Sequence, residues 1–150
     1  MDPERLRAVA VDEIHWICGT APEAELWAGD AWLGVAERDG EWMLAVATTS
    51  APASASVATS TFAHDAVLKS PDYIAGAGVV AEPATTARVV GTGPRDVVAA
   101  TSRIWLAGLA RDDADESDGV RVELIDSHGN PTGEAVSLQR SWPRILRPWA

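Results

Sequence analysis

His15 and Cys18 stand three residues apart, with Asp12 three residues before the histidine. On a helix, residues at that spacing lie on adjacent turns. The trio has the composition of an activated thiol: a cysteine nucleophile, an imidazole base and a carboxylate to orient the base. The competing account is a buried thiol beside a partly exposed histidine. It is preferred, because cysteine is among the residues most often found inside. His64, next to Asp65, is a further candidate base. Together with His128 and Asp126 these residues carry the right atom types for zinc. The chain holds neither a cysteine pair nor an HExxH run, so no metal is expected.

Other reactive patterns are incomplete. GTGPRD, residues 91–96, places an acid where a dinucleotide fingerprint has its third glycine, and it has no lysine for a P-loop. A carboxylate there repels phosphate, and no cofactor is expected. GxSxG is absent, and the serines between Ser50 and Ser60 have no adjacent base. Asp112, Asp113, Asp115, Glu116 and Asp118 crowd one stretch, which lacks the central glycine and closing glutamate of an EF-hand loop. That run reads as a solvated acidic surface.

The elements that would position these groups fit one domain of 150 residues. Its charge is −10, from 22 acids and 12 bases, which argues against nucleic acid and suits a basic protein partner. One cysteine excludes an internal disulfide and fits a reducing compartment. No stretch reaches the ~20 apolar residues that cross a bilayer, and the opening MDPERLRAVAVDEIHW lacks a signal-peptide core. A cytoplasmic protein without membrane contact is expected.

The spacing predicts a helix over residues 3–18, capped by Asp2, started by Pro3 and closed by Gly19, with Leu6, Val9, Ile14 and Ile17 as its buried stripe. Thr20 and Glu23 have capping-box spacing, so TAPEAELW reads as a short second helix that completes a helical segment over 1–28. Residues 30–138 read as a β-rich core. Asp39-Gly40 predicts a two-residue type I′ turn that pairs Arg38 with Glu41, Glu37 with Trp42, Val35 with Leu44 and Leu33 with Val46. One face then carries Leu33, Val35, Trp42, Leu44 and Val46. The other carries Gly34, Ala36, Met43 and Ala45, small enough for another backbone to approach.

SAPASASVATST, from Ser50, reads as a surface loop entering an edge strand near Val57–Phe62. PDYIAGAGVVAEP and ATTARVV read as strands parted at Glu82-Pro83. Residues 95–110 admit a helix or the strands 97–102 and 104–109, and the β-branched and aromatic content favours strands. Val120, Val122 and Leu124 alternate inward, SHGNPTG turns the chain, and Val136 and Leu138 return. The fold class is mainly β (α+β): a small sandwich or barrel with an N-terminal helix and an extended C-terminal tail. The order ARVV, VVAATSRIWLAGLA, VRVELIDSHGNPTG resembles uncharacterised β-rich domains of actinobacterial proteins, over residues 73–136. That resemblance implies a β fold and no activity.

Seven tryptophans stand against one Phe and one Tyr. Trp42 and Trp105 are expected in the core. Trp142 and Trp149 lie in the tail over 139–150, beside Arg140, Arg144 and Arg147 and with no acid after Glu134. Trp and Arg are hot-spot types, and Pro143 and Pro148 keep this arm extended. The expected function is a non-catalytic, acidic, β-rich interaction module that self-associates or neutralises a basic partner, as an immunity protein or antitoxin does. The alternative is a small enzyme or ligand-binding barrel with a Trp-lined pocket using Cys18 or His64.

Overall fold

Local chemistry sets both ends of the only helix among the described residues. In this computed structural model those residues are 1–70, 73–80, 84–90, 98–101, 103–110 and 121–137. The Asp2 carboxylate accepts the Arg5 N–H at 2.8 Å, and helix α1 (Pro3–Cys18) ends where Gly19, at φ 75°, donates its N–H to the His15 carbonyl. Leu6, Ala10, Ile14 and Cys18 form its buried stripe. The expected stripe is corrected at two positions: Val9 is exposed and Ile17 half-buried. A strict i, i+4 row turns past both, and Ala10 lets the helix sit close to what it covers.

The expected second helix is a strand. β1 (Ala24–Ala28) pairs antiparallel with β2 (Ala31–Arg38), Leu26 opposite Leu33 and Trp27 opposite Trp32. Ala24, Leu26 and Ala28 alternate with Glu25 and Trp27, a period-2 pattern satisfied by β2, and the capping-box spacing gives way to it. Gly29, at φ 61°, makes the tight return. β2 then meets β3 (Glu41–Ala51) in the expected register, with Arg38 opposite Glu41 and Leu33 opposite Val46, around Asp39 at φ 52° and Gly40 at φ 84°. The expected loop from Ser50 is mostly strand as well. Only Pro52 and Ala53 turn, and β4 (Ser54–Phe62) lies antiparallel along β3. These strands form one sheet in the order β1-β2-β3-β4.

A second sheet, ordered β5-β6-β9-β8, holds β5 (Asp65–Lys69), β6 (Tyr73–Val79), β8 (Val98–Ala100) and β9 (Ile104–Ala110). β8 and β9 are strands, as preferred over the helix; β5 has no counterpart in the expectation. A third sheet, β11-β10-β7, holds β7 (Ala84–Val90), β10 (Arg121–Asp126) and β11 (Pro131–Ser137), with Val122 opposite Val136.

The sheets stack, and no barrel closes among the described strands. Leu33, Val35, Leu44 and Val46 of the first sheet pack on Ala75, Ala77, Ile104 and Leu106 of the second. The reverse face of the second, with Ile74, Trp105 and Leu109, packs on Val122 and Leu124 of the third. The small-residue face of the first sheet is not free: α1 lies on it, with Leu6, Ala10, Ile14 and Cys18 against Trp32, Ala36, Met43 and Ala45. The close approach expected there is that of a helix from the same chain. The expected core residues Trp42 and Trp105 are buried, and Trp32 joins them.

Glycine makes room for two of these indoles. Trp32 lies over Gly34, and Trp105 over Gly78, its cross-strand neighbour. A Cβ on Gly78 would stand 2.5 Å from Trp105 Nε1. With that ring closed in, Gly78→Ala should lower stability by about 1–3 kcal/mol. A urea midpoint equal to wild type contradicts this packing.

Candidate interaction surface

The three candidates on α1 diverge. Cys18 points into the core, its sulfur 4.0 Å from Met43 Sδ, and burial pushes the thiol pKa up, away from the reactive thiolate. His15 and Asp12 are exposed on other sides of the cylinder. No hydrogen bond or ion pair joins Asp12, His15 and Cys18 among the described residues. His64 is exposed at the β4–β5 turn, where its carbonyl accepts the Val79 N–H at 2.9 Å. Asp126 shapes a turn: Oδ1 accepts from the N–H groups of His128 at 2.9 Å and Asn130 at 3.0 Å. No metal-binding group of three acids, histidines or cysteines forms among the described residues.

Arg7, Arg38, Arg88, Arg103 and Arg121 are turned onto acids or carbonyls of the same chain. Arg7, on α1, reaches Glu25 on β1, which also accepts from Trp32 Nε1 at 3.3 Å. The hydrogen bonds from Arg7 hold the Glu25 carboxyl below its ordinary range against the opposing effect of burial. Arg103 bridges Glu23 at 3.0 Å and Glu37 at 2.5 Å, with its guanidinium 5.1 Å from the centre of the Trp42 ring. Arg88 and Arg121 both reach Glu123 at 3.3 Å. Arg38 donates to the Ile17 carbonyl at 2.9 Å, tying β2 to the end of the helix. Glu4, Asp12, Glu13, Asp30, Glu41 and Asp65 have no basic partner among the described residues.

The free acids Asp12 and Glu13 share a helix with an unusual neighbour. Trp16 is 86% exposed. Arg5, Val9, Asp12 and Trp16 follow i, i+4, i+7, i+11 and form one outward stripe, opposite the buried one. Sequence reasoning missed Trp16. The available signal was its place off the Leu6, Ile14 and Cys18 row, which turns it away from the sheet.

A cleft of about 800 Å³ lies at the start of α1, lined by Met1, Leu6, Trp27, Asp30, Thr48 and Thr49. Trp27 is 36% exposed at its wall. Asp30 is its single acidic group, and neither Cys18 nor His64 lines it. The tail residues Arg140, Trp142, Arg144, Arg147 and Trp149, and the acidic run Asp112, Asp113, Asp115, Glu116 and Asp118, lie outside the described residues. No described helix is long and apolar enough to cross a membrane. Searches of family models, curated proteins and solved structures return no match.

Two measurements check this geometry. Glu25 has a lowered folded-state pKa, so its pairing stabilises the protein above the unfolded carboxylate value, and that stability is lost as pH falls through the folded value. Glu25→Gln should therefore flatten the acid limb of the stability profile, and an unaltered limb would show that the Arg7 pair is not formed in solution. Native Cys18 should react with a maleimide only at the rate of local opening, far slower than in urea. Labelling at the rate of a free thiol would place it outside the core.

Proposed function

We propose that the protein is a non-catalytic interaction module whose acidic helix face docks on a basic protein surface, as an immunity protein or antitoxin does. The observation that carries this reading is the indole of Trp16, 86% exposed beside Asp12 and Glu13, acids that have no ion pair among the described residues. A tryptophan left in water contributes little to the fold and offers a large apolar area to a partner. The neighbouring carboxylates add electrostatic steering and choice of partner. The buried Cys18 supports the same reading against a thiol enzyme.

The tail belongs to the proposal by composition. Arg140, Arg144 and Arg147 give residues 139–150 a charge opposite to that of the body, and Trp142 and Trp149 supply apolar anchors. This arm docks on an anionic protein surface, its own or a neighbour's.

The test is capture from the native host by wild type and by Trp16→Ser. A partner of net positive charge should bind wild type, release as salt rises, and lose at least tenfold in affinity for the variant, whose thermal midpoint should stay close to wild type. Equal binding by the variant would remove α1 from the interface.

A further inference from the structure

The geometry points to the outer edge of β4 as a self-pairing site, where a second copy of this chain adds its own β4 antiparallel and continues the first sheet across a two-fold axis. This goes beyond the reading above, since it uses another surface and another occupant.

The backbone phase follows from the Asp39-Gly40 turn. A two-residue turn closes on a hydrogen-bonded pair, here Arg38 with Glu41, so odd-numbered residues of β3 bond to β2 and even-numbered residues bond to β4. The same phase turns the Val35 carbonyl toward β1, and it accepts the Glu23 N–H at 2.7 Å. Ser56, Ala58, Ser60 and Phe62 face Thr48, Val46, Leu44 and Trp42, and direct their backbone groups to β3. Ala55, Val57, Thr59 and Thr61 are left with N–H and C=O groups pointing outward, without backbone partners among the described residues.

Exposed edges are normally blunted by charge, proline, brevity or cover. The other described edges follow that rule. β5 is short and bounded by Asp65 and Lys69; β11 carries Pro131 and Glu134; β7 carries Arg88; β8 has three residues; β1 carries Glu25 and lies against β9. β4 has nine residues with no charge, proline or glycine, and its ladder with β3 is regular from Trp42–Phe62 to Thr49–Ala55. In a chain of charge −10 no ionisable residue occurs between Ser50 and Ala63, so two copies meet there without like-charge repulsion.

Two-fold pairing about Ala58 sets Val57 opposite Thr59 and Ala55 opposite Thr61 of the second copy. Their outward groups are matched, and each side chain stays on its own face. β-Branched and small residues then pair across the axis. Ala58 meets its own copy in a non-hydrogen-bonded pair, where side chains stand closest.

The experiment is sedimentation of the full chain over a range of concentrations. Wild type should run at twice 15.8 kDa. Thr59→Pro removes only an outward N–H and keeps the β3 ladder, so it should give a single chain with native circular dichroism. Ala58→Asp and Ala58→Lys should each run as single chains, and mixing them should restore the two-chain species. A single-chain wild type, a natively folded Thr59→Pro that still pairs, or a mixture that stays dissociated would each overturn the proposal. Trp16→Ser should leave the mass unchanged, and Thr59→Pro should still capture a basic partner, so the two readings fail separately.

Discussion

Asp39 and Gly40 both hold positive φ, and that one constraint decides which side of the first sheet each residue occupies. A turn longer by one residue would move Leu44 and Val46 to the helix side and Met43 and Ala45 to the side of the second sheet. Both faces are buried, one by a helix and one by a sheet, so neither tolerates the exchange. The helix side takes small residues because α1 must come close; the sheet side takes branched ones because two pleated surfaces interdigitate there. The rest of the stack is laid on this hairpin.

What could be read from the sequence follows how local the deciding chemistry is. Asp2, Pro3 and Gly19 act within a turn of themselves, and the bounds of α1 were legible for that reason. The register of β2 and β3 was legible because a two-residue turn leaves no choice. β1 was not, since TAPEAELW satisfies a helix-start pattern, and only the neighbouring β2 makes a strand of Ala24–Ala28. β5 was missed because DAVLK is too short to show a period. The Cys18–His15 spacing was visible, but whether the thiol would face water depended on a sheet that starts after the helix has ended. Trp16 escaped notice for a related reason: its exposure is defined by where Leu6, Ala10 and Ile14 point.

The charge pattern is not uniform. Arg7, Arg38, Arg88 and Arg103 each meet an acid or a carbonyl of another element, fastening helix to sheet and strand to strand, while Arg121 meets Glu123 on its own strand. Such surface pairs add little stability individually. Their larger effect is on what remains: with these five arginines engaged, the helix that bears Trp16 presents Glu4, Asp12 and Glu13 against Arg5, a net negative field.

Strand order also has a bearing on synthesis. Every strand of the first sheet follows its neighbour directly in the chain, and α1 precedes them, so the pairing of these strands with one another and with the helix is complete within residues 1–62. The second sheet is different: β9 lies between β6 and β8, so its centre stays open until Ile104–Ala110 has left the ribosome. During that interval the inner face of a finished first sheet, with Leu33 and Leu44, waits for its cover, and the nascent chain is most exposed to chaperones and to misassociation.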